Sequence, residues 1–215
     1  MPTDIQQTSR PSTPLADIPD LTFPHETGYI PDEAECAALW DRYDMLDNIR
    51  AHSSLVARVA TALAIRAKGM GMPVDVAEVK ASGLLHDLAK TYCIRNGGGH
   101  AQLGASWVVQ ETGNQAIAQG VFHHVWWPWR IPVDDPLRVC SLPFFIIYAD
   151  KRARHDTFVT LRERFDDLIV RYGDTEPHRK SILLSLTQGQ AIEEALSRHL
   201  GLSLKDVRHP EELLS

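Results

Sequence analysis

The segment ASGLLHDLAK at residues 81–90 constrains the fold most strongly, because it places two polar side chains within an otherwise apolar run. The spacing of its residues predicts a closely packed helix from Val76 to about Ala89. Within that helix, His86 and Asp87 would be removed from water. A buried carboxylate is costly unless a hydrogen-bonded cation or a metal accompanies it. Other segments must therefore bring compensating groups to this pair.

Several polar side chains elsewhere are candidates for that role. Asp150 ends the apolar run FFIIYAD, and His52 shares the inward face of a predicted helix. His100 and the adjacent pair His123 and His124 lie between these segments. Together they offer nitrogen and oxygen ligands without sulfur, which suits Fe, Mn, Co, Ni or Zn rather than a structural zinc finger.

The choice within the adjacent histidine pair depends on helical spacing. His124 lies on the same face of the predicted helix as Ile117 and Val121, whereas His123 lies on a different face. We therefore prefer His124 as the ligand, and His123 remains the alternative.

The remaining pattern predicts helices and no strands. Asp32 with Glu35 has the spacing of a capping box, and the WWPWRIP segment at residues 126–132 predicts a loop because prolines interrupt helices. The predicted helices run from Asp32 through Tyr43, from an Asn48 cap to Gly69, from Val76 to about Ala89, from about Ala101 to Glu111, from Asn114 to His124, from Pro136 to Arg154 with Pro143 as a candidate kink, from about Thr157 to Tyr172, and from Pro177 to Leu200.

Length and charge bound the class of protein. At 215 residues the chain can bury one sizeable core, which predicts one catalytic domain. A formal net charge of -6 gives no basic surface for polymeric nucleic acid, although a local cationic pocket could hold a phosphate ester. We expect a small-molecule nucleotide or phosphate ester as ligand. A homodimer is compatible with the sequence.

The N-terminal segment and the cysteines indicate the cellular compartment of the protein. Residues 1–31 predict a loosely ordered tail without the features of a secretory signal. Scattered Cys36, Cys93 and Cys140 suggest neither a disulfide framework nor a thiolate zinc site, which fits the cytoplasm. The most apolar stretch, residues 142–149, is far shorter than the ~20 residues that span a bilayer, so we expect no membrane association.

The order His52, His86-Asp87 and Asp150 on successive helices resembles the HD superfamily, whose defining pattern is H…HD…D. The strings LLHDLAK and YADK are similar to the central and closing helices of that family. The resemblance covers about residues 39–173. It implies an all-α, HD-domain-like bundle of about seven to nine helices with a metal site in its core. The domain would span residues 32–215, with C-terminal helices over 177–215.

His100, in the string HAQLGA, and His124 extend the resemblance to a binuclear subset that includes bacterial HD-type diadenosine tetraphosphate hydrolases. The resemblance implies one or two ions, Fe first, with Mn, Co, Ni, Zn or Mg as alternatives. The implied ligands are His52, His86, Asp87 and Asp150 for one metal, and Asp87, His100 and His124 for a second.

The resemblance implies hydrolysis of a nucleotide-type phosphoester or phosphoanhydride by a metal-activated hydroxide. Asp87 would bridge the metals, and fixed cations would stabilise the charge that develops on phosphoryl oxygens. Lys90 and Lys151 are the catalytic candidates because they adjoin the ligand strings. Lys90 equally fits an ordinary lysine at a helix C-terminus.

Candidates for substrate binding are less constrained. Trp126 could stack on a base, although core packing of its loop is the better interpretation. The charged residues of the predicted helix 157–172 indicate a solvated face, and no chemistry is assigned to them. The complete set of substrate-binding candidates is Arg50, His123, Trp126 and Arg152.

Other functions remain open at this stage. Some binuclear HD-type proteins are di-iron oxygenases with similar ligands, and a metal-stabilised, non-catalytic nucleotide-binding regulatory module would also carry this pattern. The Gly-Tyr-Pro signature of HD cyclic-dinucleotide phosphodiesterases is absent after the histidine pair, where the sequence is VWWPW. That subfamily is disfavoured.

Overall fold

A computed structural model describes residues 16–17 and 28–214 of the chain. Most of the predicted tail lies outside these residues, and its boundary at residue 31 stays a prediction. The described chain is predominantly helical, which confirms the all-α prediction. None of its helices combines the length and apolar character needed to cross a bilayer. The helices are α1 Glu33–Arg42, α2 Asp47–Gly69, α3 Val76–Leu85, α4 Lys90–Asn96, α5 His100–Thr112, α6 Gln115–His123, α7 Pro136–Val139, α8 Leu142–Lys151, α9 Leu161–Tyr172 and α10 Glu176–Leu200.

Helix starts follow the predicted caps in part. Asp32 accepts a hydrogen bond from the Glu35 amide and donates its own amide to the Glu35 carboxylate, which confirms the capping box of α1. The Asn48 cap is wrong, because α2 begins at Asp47 with Leu46 as its N-cap, two residues before the predicted cap. The Leu46 amide is instead satisfied by the Thr91 hydroxyl at 3.0 Å, a tertiary contact that no local pattern reveals.

Helix α3 ends at Leu85, four residues before the predicted end. The His86 ring lies 2.8 Å from the Gly83 carbonyl, which a continuing helix would offer to the amide of residue 87. A turn therefore follows, and α4 starts afresh at Lys90. The consequence is that Asp87 lies in a tight turn between two helices.

The predicted helix from Pro136 to Arg154 is two helices, α7 and α8. Pro143 lies in the first turn of α8, where its missing amide costs no hydrogen bond, and it does not kink a longer helix. Two short strands, β1 Ala153–Arg154 and β2 Thr157–Phe158, then pair in an antiparallel hairpin. The prediction of a helix from Thr157 and of no strands is therefore wrong there. Two-residue strands are too short to give a period-2 pattern.

The site is positioned by close packing of α3 on α2 and of α8 on both. At Gly83 a Cβ atom would lie only 2.6 Å from the Ala57 Cα, so the α2–α3 approach requires glycine. The buried side chains of α8, such as Phe145 and Ile146, join the core with α2 and α10. After α10 the chain continues as 3-10 helices Leu204–Asp206 and Pro210–Leu214.

Candidate metal centre

The predicted ligands of the first metal converge on Asp87. His52 comes from α2, His86 caps α3, and Asp150 lies in the last turn of α8. His52 Nε2 lies 3.1 Å from Asp150 Oδ1 and 3.8 Å from Asp87 Oδ2. His86 Nε2 lies 3.4 Å from Asp87 Oδ2 and 3.9 Å from Asp150 Oδ1. Helices α2, α3 and α8, with the turn after α3, therefore bring four nitrogen and oxygen ligand groups together.

A second group lies on the other oxygen of the same carboxylate. His100 Nε2 is 3.4 Å and His124 Nε2 is 3.6 Å from Asp87 Oδ1, and the two ring nitrogens are 3.1 Å apart. His100 is the first residue of α5, and His124 caps α6 at its C-terminus. Asp87 thus belongs to two donor sets, His52–His86–Asp87 and Asp87–His100–His124, each with ligand atoms within 4.8 Å of one another.

Backbone carbonyls orient three of the histidines. The Nδ1 atoms of His52, His86 and His124 lie 2.9, 2.8 and 2.6 Å from carbonyl oxygens of other residues. A carbonyl only accepts, so each Nδ1 is the N–H donor, and in the neutral ring each Nε2 has its lone pair toward the carboxylates of Asp87 and Asp150. This arrangement is usual for metal-binding histidines, whose second nitrogen fixes the tautomer and the ring orientation. The carbonyls belong to His155, Gly83 and Val121.

The imidazole Nε2 atoms and the carboxylate oxygens that face one another require a cation or protons between them. With Nδ1 donating, neutral His52 presents a lone pair to the Asp150 carboxylate, and two acceptors cannot form a hydrogen bond. His86 Nε2 and Asp87 Oδ1 are buried, and neither has a hydrogen-bond partner within the described chain. Such unpaired buried atoms are rare in proteins and need an explanation. Binding of metal ions would satisfy them, so the residues fit the implied metals.

The electrostatics keep both carboxylates ionised. Burial would raise the pKa of Asp87, but neighbouring groups, above all His86 and Lys90, hold that pKa well below its usual range. For Asp150 burial is outweighed in the same way, chiefly by His52. Burial combined with the charge of His124 lowers the pKa of His100 to about 4. Two ionised carboxylates that face several imidazole nitrogens are suited to divalent cations.

The two candidate catalytic lysines occupy different places. Lys90 Nζ lies 2.7 Å from Asp87 Oδ2, on the side of the carboxylate that also faces His86. Lys151 is buried, and its Nζ lies 3.4 Å from the His124 carbonyl and 3.5 Å from that of Val125. The structure therefore brings Lys90 directly to the centre, whereas Lys151 contacts the backbone at the end of α6.

The two arginines predicted to bind substrate have structural partners instead. Arg50 joins α2 to α1 by contacts to the Met45 carbonyl at 2.7 Å and to Asp41 at 2.6 Å. Arg152 has no exposed surface, and its guanidinium binds Glu193 together with carbonyls of the C-terminal segment. The structure therefore gives the Arg152 guanidinium partners within the chain, and its substrate-binding role stays a prediction.

The aromatic candidates lie beside α6. His123 is buried against Trp127 and Trp129, with ring centroids 4.9 and 5.3 Å away, and burial lowers its pKa to about 4. Trp127 is fixed by Gln188, which accepts from its amide and donates to its carbonyl. Trp126 is half-buried. His123 thus packs in an aromatic cluster, away from the Asp87 carboxylate that His124 faces.

Sequence reasoning missed two contributions from the segment after α8. The backbone carbonyl of His155, a residue with positive φ (56°) in the β1–β2 turn, orients His52. The second is a contact from the charged face of α9, where Arg171 Nη1 lies 3.3 Å from His155 Nε2. The charged residues Arg164, Asp167 and Arg171, spaced three and four positions apart, were visible in the sequence. The contact of that face with His155 was not.

Comparison with known proteins gives one match. Residues 49–142 match the family model of the HD domain, and these include the four histidines predicted as metal ligands and Asp87 but not Asp150. No curated protein and no solved structure matches the chain significantly. The match supports assignment of this part of the chain to the HD-domain superfamily, whose members generally are metal-dependent hydrolases.

Proposed function

We propose, from the HD domain over residues 49–142, that the chain is a metal-dependent phosphohydrolase that cleaves a nucleotide-type phosphoester or phosphoanhydride. The single observation that carries the proposal is the pair of donor sets sharing Asp87. A carboxylate whose two oxygens face separate groups of imidazoles is arranged to bridge two cations. Two-metal sites of this kind are common in enzymes that hydrolyse phosphate esters.

The proposed ligand assignment follows the distances. His52, His86, Asp87 and Asp150 would hold one metal, and His100 and His124 would hold a second through the other oxygen of Asp87. When bound, such ions lower the pKa of coordinated water and polarise phosphoryl oxygens. The donors are imidazole and carboxylate, which suits Fe, Mn, Co, Ni or Zn, and the resemblance to the binuclear subset favours Fe among them.

The protein's own groups prepare the site for an anionic substrate. Carbonyls fix the imidazole rings before a ligand arrives, so little reorganisation is needed. The Lys90 ammonium adds a positive charge beside Asp87, and its side chain is still 37% exposed. It can therefore approach a phosphoryl group from the solvent side. A dinucleoside polyphosphate is the specific substrate we propose, with nucleotide mono- and polyphosphates as the wider class.

The test combines metal analysis with a nucleotide substrate panel. Metal-loaded protein is expected to release phosphate or nucleotide, and Asp87→Asn is expected to lose both metal and turnover. Asp134→Asn is the matched control, since Asp134 is exposed and pairs only with Arg198 among its described ion-pair partners. Turnover that survives Asp87→Asn contradicts the proposal. Oxygen uptake without phosphate release would instead identify the di-iron oxygenase alternative, and ligand binding without turnover the regulatory module.

The binuclear arrangement makes a prediction about stoichiometry. The double variant His100→Ala/His124→Ala removes both imidazoles from Asp87 Oδ1 and leaves the other set intact. We expect about two metal equivalents in the wild-type protein and about one in the variant, measured by inductively coupled plasma mass spectrometry. The control is His178→Ala, which changes an exposed histidine paired with Asp174. Equal metal content in wild type and double variant would exclude the second metal position.

A further inference from the structure

His124 lies just beyond the end of α6, where the chain leaves the helix. The helix ends at His123, and His124 is its C-cap. The contact between the His124 ring and the Val121 carbonyl, at 2.6 Å, fixes the ring relative to the helix. It does not determine where the helix end lies relative to Asp87 and His100. That placement must come from contacts with other elements.

Gln188, on α10, binds both backbone polar groups of Trp127, three residues after His124. The Trp127 amide donates to Gln188 Oε1 at 3.0 Å, and Gln188 Nε2 donates to the Trp127 carbonyl at 2.8 Å. Both residues are buried, so these backbone groups need partners within the protein. The paired hydrogen bonds therefore fix the position of Trp127 against α10.

Lys151, on α8, contacts the same segment closer to the metal centre. It is buried, and its Nζ lies 3.4 Å from the His124 carbonyl and 3.5 Å from the Val125 carbonyl. Carbonyls at a helix end lack partners within the helix, and a positive charge is favourable there. The Lys151 stem packs against Gly189, where an added Cβ would lie 3.2 Å from Lys151 Cδ. Because Gly189 follows Gln188, the same turn of α10 supports both contacts.

The two donor sets depend on this segment to different degrees. His52, His86 and Asp150 come from α2, the end of α3 and α8. Residues 124–127 contain one predicted ligand, His124, whose Nε2 lies 3.6 Å from the carboxylate shared by both sets. A displacement of residues 124–127 would therefore weaken the second metal position and leave the first intact.

We propose that Gln188 and Lys151 are positioning residues that hold His124 Nε2 toward Asp87 Oδ1, and thereby set the affinity of the second metal position. The inference rests on the proposed function, because it concerns the metal centre of the same site. Both side chains act through backbone groups of residues 124–127. For Lys151 this is an alternative to the predicted catalytic role. Removal of groups that orient metal ligands typically lowers metal affinity 10- to 100-fold.

The test is a titration of metal-free protein with cobalt(II), whose visible absorption depends on coordination geometry. Bound metal is quantified by inductively coupled plasma mass spectrometry. The double variant His100→Ala/His124→Ala identifies the signal of the second position, as the part of the wild-type spectrum that it lacks. Gln188→Met removes both hydrogen bonds and should bind the second equivalent about 10- to 100-fold more weakly and the first as tightly as wild type. Gln190→Met, at an exposed site on the same helix, should match wild type.

Two further variants test how the contacts act. Gln188→Asn keeps the amide on a stem one carbon shorter, so the affinity of the second equivalent should lie between those of wild type and Gln188→Met. Lys151→Met should also weaken the second equivalent, because the ammonium no longer holds the carbonyls after α6. A catalytic Lys151 would instead leave both affinities unchanged and lower kcat, which contradicts the positioning role.

The outcomes separate this inference from the proposed function. Turnover by wild type, combined with wild-type affinity for both equivalents in Gln188→Met, overturns the positioning role alone. A weaker second equivalent in Gln188→Met, without turnover of any substrate by wild type, supports the positioning role and rejects the hydrolase. Equal weakening of both equivalents contradicts the inference, as does binding of fewer than two equivalents by wild type. If Gln188→Met does not fold, Gln188→Asn decides, and wild-type affinity in that variant contradicts the proposal.

Discussion

At the scale of single residues, the centre depends on how each imidazole is oriented. His86 and His124 both cap a helix, and each ring donates to the carbonyl three residues earlier. The carbonyls at a helix end lack partners within the helix, so a following histidine can satisfy one of them with Nδ1. The same hydrogen bond leaves Nε2 pointing away from the helix. Local backbone chemistry thereby produces two inward-facing ligands.

A substitution at Lys90 can separate a catalytic role from a role in metal binding. Lys90→Met should lower kcat by about 10- to 100-fold, because the charge that stabilises developing negative charge on phosphoryl oxygens is lost. Metal content, measured in the same samples, should remain near that of wild type, since Lys90 is not a predicted ligand. The control Lys68→Met changes an exposed lysine. An unchanged kcat in Lys90→Met would exclude a catalytic role.

At the scale of elements, α8 combines two tasks. Its inward side carries Asp150 to the metal centre, and Arg152 at its C-cap anchors the segment that follows α10. The Arg152 guanidinium donates to the carbonyls of Leu204 and Val207, each at 2.8 Å, and lies over the Phe158 ring. One helix end therefore ties the C-terminal segment and the β1–β2 hairpin to the core.

Arg152→Met is predicted to lower the free energy of unfolding. It would leave Glu193 and several buried carbonyls without their cationic partner, which typically costs about 3–5 kcal/mol. For a chain of this size the melting temperature should fall by about 10 °C, measured by differential scanning fluorimetry. Arg162→Met, at an exposed site, should change the melting temperature by no more than about 1–2 °C. A normal melting temperature combined with a raised KM would instead support the predicted substrate-binding role of Arg152.

At the scale of the whole molecule, the fold brings the candidate metal ligands together where several helices meet. One apolar cluster surrounds α2, α8 and α10, and a second lies among α1, α3, α5 and α6. Helices α2 and α3 run between them, and the metal centre is formed on their facing ends with α8. Because these buried ligand groups face one another, the stability of the folded state depends on the ions that they bind.

Metal should therefore stabilise the native protein as a whole. A ligand that binds only the folded state contributes about 2.7 kcal/mol at a concentration 100 times its Kd, and two sites contribute more. We expect the melting temperature to fall by about 5–10 °C on chelation and to recover when metal is restored. Asp87→Asn, which lacks the bridging carboxylate, should show no such response. A melting temperature insensitive to chelator in metal-loaded wild type would contradict a metal-filled centre.

The candidate ligands could be found in the sequence because burial and polarity conflict locally. His86 and Asp87 stand in an apolar run, and Asp150 ends another, so each signals a need for partners without knowledge of the fold. Helix starts such as the Asp32 cap were equally readable, because capping involves residues only three positions apart. These features depend on short-range chemistry, which a sequence specifies directly.

Only the tertiary structure decided which groups meet across the molecule. An amphipathic pattern determines that Arg164, Asp167 and Arg171 share a face of α9, but the contact of Arg171 with His155 in the β1–β2 turn was decided by packing. Arg152 adjoins a ligand string and is nonetheless committed to the C-terminal segment, more than 50 residues away in sequence. The sequence by itself determined the helical class and the candidate ligands. The direction of each charged side chain depended on long-range contacts, because the free energy of burial is set by the partner surface and not by the residue that is buried.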